Sequence, residues 1–341
     1  MVFIDAERNL MSGPLIGDNL LHLSNLQALR LSRNDFTGTI PPQMATWTDL
    51  EQFWISNNLV VGSIPLEIGM LTNLKTMFLY DNDIHMRMPS EMGLLTQMSI
   101  LRLDGNMIES TIPEELYQLT NLVDLRLDGN FLTGTISPAI GALTRLTDLR
   151  LNENMLIGTL PDQLADLTLL QNLILFDNHL TGFLPAIFGG YGVLEQLDIS
   201  MNFFGGAIPE ALFELPQLTF VYLSNNTFFG PLPSNFQKPP LLRDLYLDGN
   251  QLTGTIPPVD TGNLQNLNEI LFNYNSFYGT MPQSFCDLRL DYVLDDLFAD
   301  CMGDAPKVIC DFPDCCNRCF DPTMRPTRRQ RRILQRRDES S

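Results

Sequence analysis

Asparagine recurs at one interval along almost the whole chain. Asn34, Asn58, Asn82, Asn106, Asn130, Asn154, Asn178, Asn202, Asn226 and Asn250 stand 24 residues apart, and Asn9 and Asn275 extend the series with a 25-residue step at each end. A constant period of this length leaves few options. Each copy is too small to bury an apolar face alone, so the copies must stack and share one continuous core. The 341 residues therefore do not divide into the two or three globular domains that roughly 100–200 residues per domain would give.

Around each asparagine the same frame returns. In one copy Leu146, Leu149 and Leu151 precede Asn154, and Leu156, Gly158, Leu160 and Pro161 follow it. In another, Leu242, Leu245 and Leu247 precede Asn250, and Leu252, Gly254, Ile256 and Pro257 follow. The L-x-L segment alternates inward and outward, so it reads as a brief strand with one buried face. The asparagine falls in the turn after it, where its amide can satisfy backbone groups that would otherwise be buried unpaired. Gly and Pro set a second turn, and a closing stretch such as 164–170 returns along the outer face. The asparagine column is thus structural rather than catalytic.

This frame resembles the 24-residue plant-type variant of the leucine-rich repeat family, L-x-x-L-x-L-x-x-N-x-L-x-G-x-I-P, over roughly residues 3–285 and some twelve copies. Departures are local: Met86 and Ser110 replace the frame Gly, Ser137 replaces the Pro, and Ala6 stands for a core Leu. The resemblance implies an α/β solenoid, a right-handed superhelix (horseshoe) with short parallel strands on its concave face. It also implies a protein or peptide ligand on that face, with a co-receptor as a further partner, in signalling or defence. Three segments are expected: 1–285 as repeat solenoid, 286–322 as a C-terminal cysteine-rich cap, and 323–341 as a basic disordered tail.

Charge is unevenly placed. The net charge is −19, from 21 basic and 40 acidic side chains. Residues 323–341 hold seven Arg and two acids, so the rest carries −24, from 14 basic and 38 acidic groups. A body this acidic repels nucleic acid and anionic lipid, which leaves only the tail for either. That tail reads as a solvated segment, with a nuclear-localisation patch or a lipid anchor as the functional alternatives. The longest weakly polar stretch, 183–194, is far short of the ~20 residues a membrane helix needs.

All six cysteines, Cys286, Cys301, Cys310, Cys315, Cys316 and Cys319, lie at the C-terminal end. An even, clustered set closing a repeat array reads as a disulfide cap, whose pairing the sequence does not choose. A zinc site at Cys310, Cys315, Cys316 and Cys319 is the alternative. The cap is similar to those of algal leucine-rich repeat proteins that are secreted or membrane-anchored. The chain opens inside a degraded first repeat without a signal peptide. A disulfide cap argues for the extracellular side or the cell surface, with a signal or anchor missing upstream; a cytoplasmic location is the alternative. The acids between Asp287 and Asp300, with Leu288, Val293, Leu294 and Leu297, read as a helical capping face.

Candidate ligand contacts are the outward strand positions four and two residues before each asparagine. They bring together an aromatic patch (Trp54, Phe78, Tyr80), a ladder of Arg102, Arg126 and Arg150, and a second aromatic patch (Tyr222, Tyr246, with Phe220 beside them). Aromatics and Arg are the residue types enriched at binding hot spots. The ladder is interleaved with Asp104, Asp124, Asp128 and Asp148, which could neutralise it internally instead. Asn225 heads the one N-x-S/T sequon and is a glycosylation candidate. His22, His85 and His179 share no frame with a nucleophile, and no phosphate loop, HExxH motif or kinase signature occurs. The expectation is a non-enzymatic recognition module without cofactor or metal; an intracellular scaffold or adaptor is the alternative.

Overall fold

The computed structural model describes residues 2–15, 22–185, 192–260, 262–290, 293–301, 307–310, 316 and 318–319. The L-x-L segments form one parallel sheet of 14 strands, in chain order from Val2–Asp5 to Arg318–Cys319. The register is constant from copy to copy: Leu101, Leu125, Leu149 and Leu173 stand side by side, as do Arg102, Arg126 and Arg150. This sheet lines the concave side. Its inward residues belong to one apolar core running from Leu15 to Cys316.

A second set of short parallel strands follows each asparagine. It includes Asp35–Thr39, Leu59–Gly62, Met107–Thr111, Phe131–Thr133, His179–Phe183 and Thr227–Pro231. Between Phe131–Thr133 and Ile157–Gly158 the ladder continues through the Met155 N–H to Leu132 O and the Ile157 N–H to Gly134 O, both at 2.8 Å. This flanking sheet buries one residue per repeat, such as Val60, Leu132 or Phe204. The return segments, such as Glu114–Gln118 and Asp162–Asp166, are 3-10 turns. Five residues must span the back of each copy, and the longer rise of the 3-10 form suits so short a crossing. The one α-helix among the described residues is Gln283–Leu290.

The asparagine ladder ties both sheets together. Asn154 Nδ2 donates to Leu151 O and Asn152 O of its own turn and to Leu127 O of the preceding repeat, while its Oδ1 accepts the Leu132 N–H. Asn58, Asn82, Asn106, Asn130, Asn178, Asn202, Asn226, Asn250 and Asn275 repeat this pattern. One side chain thus supplies the donors and the acceptor that two turns lack. The frame Gly, as at Gly134 and Gly158, adopts positive φ where an added Cβ would meet Thr111 or Thr135 of the preceding copy at 2.7 and 2.8 Å. Met86 and Ser110 hold the same left-handed conformation with side chains, at φ 72° and 76°.

At the C-terminal end the cysteines are oxidised. Cys301 is bonded to Cys319, Cys310 to Cys316, and Cys286 is also in a disulfide. Three of the four sulfurs of the zinc alternative are thereby consumed. The expected helical face over 287–300 is corrected: the helix stops at Leu290, and Asp296–Ala299 is a strand that adds to the concave sheet. The period-two burial of Leu297 and Ala299 is the physical reason. The basic tail 323–341 and Cys315 lie outside the described residues. No described helix is long and apolar enough to cross a membrane.

Candidate ligand-binding face

The outward positions of the concave sheet are less open than their sequence pattern implies. Side chains in adjacent parallel strands stand about 4.8 Å apart and cover one another. Trp54, Phe78, Tyr80, Arg102, Arg126, Arg150 and Tyr222 are half-buried, and Tyr246 is only 9% exposed. Ile174, in the same column, is nearly covered by its neighbours at 4% exposure.

At the N-terminal side the aromatic residues form one run. The Trp54 and Phe78 rings stack at 4.8 Å, and Phe78 and Tyr80 lie 6.3 Å apart. Guanidinium groups close both ends, Arg30 over Trp54 and Arg102 over Tyr80, each at 4.3 Å. The Trp54 indole N–H donates to Thr76 Oγ1 at 2.8 Å. Toward the other end Tyr222 and Tyr246 lie 4.5 Å apart, with Phe220 6.3 Å from Tyr222. Their hydroxyls are engaged, Tyr222 with Asp244 at 3.3 Å and Tyr246 with Glu269.

The arginine ladder between these patches is ion-paired within the chain. Arg102 meets Asp104 at 3.2 Å, Arg126 bridges Asp124 at 2.9 Å and Asp148 at 3.3 Å, and Arg150 holds Asp148 at 2.9 Å. Stacked like charges repel, and the interleaved carboxylates relieve that repulsion. Burial alone would lower the Arg102 and Arg150 pKa values, but the hydrogen bonds and charges of Asp104 and Asp148 outweigh it and raise both. Burial raises the Asp124 carboxyl despite its bond to Arg126. The ladder is thus paired internally, the alternative that its interleaved acids offered in sequence.

A trough of about 450 Å³ runs along the middle of the face. It is lined by Arg102, Arg126, Arg150, Tyr222 and Tyr246, so five of the eight sequence candidates share it, while Trp54, Phe78 and Tyr80 lie outside. Asp128, Asn152 and Phe176, which stand in the second outward column but were not singled out there, line the same trough. Their columns were readable; that their partners would be missing was not. Asp128 is pushed up to about 7, first by burial and then by the Asp104 charge. Asn225 is half-buried in a left-handed turn at φ 55°.

The flanking sheet presents a different surface. Over its last seven strands the outward residues are Phe131, Thr133, Thr135; Met155, Ile157, Thr159; His179, Thr181, Phe183; Phe203, Gly205, Ala207; Thr227, Phe229, Pro231; Gln251, Thr253, Thr255; and Ser276, Tyr278, Thr280. None is Asp, Glu, Lys or Arg, in a chain where 18% of residues are. Phe183 is 72% exposed, and Ile157, Phe203, Phe229 and Tyr278 are exposed as well.

Together these features define a parallel-strand solenoid with an asparagine ladder and a half-covered concave face. The Leucine Rich Repeat family model matches at residues 25–47, 121–143, 217–239 and 241–262. Comparison with curated proteins gave no match. Among solved structures, the plant peptide hormone receptor RGFR1 in complex with RGF2 is similar at 27% identity and a TM-score of 0.76, over 87% of this chain and 50% of that one. The ectodomain of GASSHO1/SCHENGEN3 from Arabidopsis thaliana, in complex with CASPARIAN STRIP INTEGRITY FACTOR 2, is similar at 27% identity and a TM-score of 0.67, over 80% and 41%. A plant ice-binding protein is similar at 30% identity and a TM-score of 0.63, over 71% and 78%. The chain spans about half the length of the receptor ectodomains it matches. It belongs to the leucine-rich repeat family and resembles plant receptor repeat domains.

Proposed function

We propose that the concave face recognises an extended peptide or a protein segment outside the cell, as a non-enzymatic module of a receptor-like protein. The observation that carries this reading is the joining, on one sheet face, of the Trp54–Phe78–Tyr80 run to a trough ending at Tyr222 and Tyr246. Similar receptor ectodomains solved with peptide ligands support it. The disulfides favour an oxidising compartment over the scaffold alternative. The test is selection of displayed random peptides on the full chain, followed by Trp54→Ala and Arg126→Glu. Each substitution is expected to weaken the selected peptides by about tenfold or more, the scale of a truncated hot spot. Unchanged affinity in both would sink the assignment of this face.

A second reading is favoured by the charge-free flanking sheet. Threonines and apolar residues repeat there at the fixed strand spacing, and a plant ice-binding protein has a similar chain. In this reading the flanking sheet lies against ice. Inhibition of ice recrystallisation by the protein, lost in Thr159→Lys with Thr181→Lys, is the expected result; no inhibition by the unmodified protein would remove it.

A further inference from the structure

The ladder does not balance. Three guanidinium groups, Arg102, Arg126 and Arg150, face four carboxylates, Asp104, Asp124, Asp128 and Asp148, a local excess of one negative charge. The ion pairs account for Asp104, Asp124 and Asp148. Asp128 has no ion-pair partner among the described residues, because Arg126 and Arg150 are turned toward Asp124 and Asp148. Its Oδ1 is shielded from water and accepts no hydrogen bond.

The neighbouring strand repeats the deficit. Arg126 and Arg150 are register partners, so Asp128 and Asn152, two residues further on, are neighbours as well. Asn152 is 6% exposed, it lines the trough, and its Oδ1 also lacks a donor. A buried acceptor without a donor is destabilising, and a site that holds two side by side is complete only when a donor arrives. A donor that carries positive charge satisfies the oxygens and also offsets the ladder's excess carboxylate. One strand further, Ile174 and Phe176 line the same trough and offer apolar surface beside the two oxygens.

A metal ion fits poorly. Among the described residues the one close group of three or more potential metal-binding side chains is Cys301, Cys310 and Cys319, all in disulfides. Two oxygens with an apolar wall suit an ammonium or guanidinium group on an alkyl stem, which keeps its stem against carbon while its head is hydrogen-bonded. Asp128 as a residue is half-buried, and rotation about its Cβ–Cγ bond, a broad torsion, can turn the carboxylate into the trough.

We propose that Asp128 and Asn152 form a subsite for one lysine or arginine side chain of a bound peptide, with its head on their Oδ1 atoms and its stem against Ile174 and Phe176. The proposal rests on the concave face being a peptide surface and names the chemistry of its ligand. The test starts from random peptides displayed on phage and selected on the full chain at neutral pH. Binders are expected to contain a Lys or Arg whose replacement by norleucine weakens binding about tenfold, and Asp128→Asn is expected to abolish that difference. Separately, Nα-acetyl-lysine methylamide should lower the Asp128 titration midpoint, read by carboxyl ¹³C NMR, where Nα-acetyl-norleucine methylamide does not. Binders that depend on Trp54 and Arg126 yet tolerate both norleucine and Asp128→Asn would overturn the subsite and leave the recognition reading standing. Binders indifferent to Trp54 and Arg126 would overturn the recognition reading, and the subsite with it.

Discussion

The concave sheet and the flanking sheet are built from the same copies and joined by the same asparagines, yet their outward residues have diverged. On the concave side Arg102, Arg126 and Arg150 stack against Asp104, Asp124 and Asp148. On the flanking side, from Phe131 onward, the outward positions hold no charge. The inward Leu, the Asn and the Gly set the backbone and leave the outward column free. What occupies that column is then constrained by strand spacing, since a charge about 4.8 Å from its neighbour must be balanced or avoided. Along its arginine ladder the concave sheet pairs its charges with one exception, Asp128. The flanking sheet avoids them.

The strongest way to break this comparison is to cut the tie between the sheets. Asn154→Ala removes the donors to Leu127 O, Leu151 O and Asn152 O and the acceptor of the Leu132 N–H. Several buried polar groups then lack partners, and the expected loss is on the order of 3 kcal/mol in chemical denaturation. Among the described residues the Asn9 side chain bonds only within its own exposed turn, to Ala6 O and Glu7 O, so Asn9→Ala should cost about 1 kcal/mol. Hydrogen exchange should quicken in Asp148–Arg150 and Phe131–Thr133 together. Loosening confined to one sheet would mean that the asparagine does not couple them.

A smaller effect sharpens the concave half of the comparison. The Asp128 carboxyl is raised from its ordinary value to about 7 by burial and by Asp104, with Arg126 and Arg150 opposing. A raised acid favours folding while it is protonated, so its stabilising contribution is present below about pH 4 and is lost as pH rises through about 7. Asp128→Asn should therefore gain apparent stability relative to the natural chain between pH 4 and pH 8, by about 1–2 kcal/mol after solvent screening. A stability difference that is flat with pH would show that Asp128 is partnered after all.

Much of this was readable from residues alone, because the features concerned repeat. The period of Asn34 to Asn250, the Leu-x-Leu strands and the clustered cysteines each state a backbone requirement. Individual surface residues do not. Trp54, Phe78 and the Arg ladder could be placed in columns, but whether Arg126 faced a ligand or Asp124 depended on rotamers that column position does not encode. Asp128 and Asn152 became informative only through partners they lack. The charge-free flanking face was visible as sequence from Phe131 to Thr280, yet outward and inward residues there cannot be told apart until the second set of strands is known. Cap segment 287–300 misled because its Leu spacing fits a helix as well as the strand Asp296–Ala299.

The smallest expected effect bears on what the flanking face is for. Phe203 and Phe229 are each about half exposed and project from strands whose inward residues, Phe204 and Phe228, are fully buried. Replacing both outward rings by Lys removes apolar surface from water-facing positions and leaves the core and the ladder intact. Such exposed substitutions usually change stability by no more than about 0.5 kcal/mol, and the double variant Phe203→Lys with Phe229→Lys should denature at an unchanged midpoint. Its retention on a phenyl column should fall clearly, since contiguous exposed apolar surface governs that behaviour. If the variant instead lost about 2 kcal/mol or more, the rings would belong to the fold, as partly sunken core residues do. The contrast between the sheets would then be one of packing. With stability unchanged, folding does not require an apolar, charge-free surface across seven strands, and its explanation must be sought in what the sheet touches.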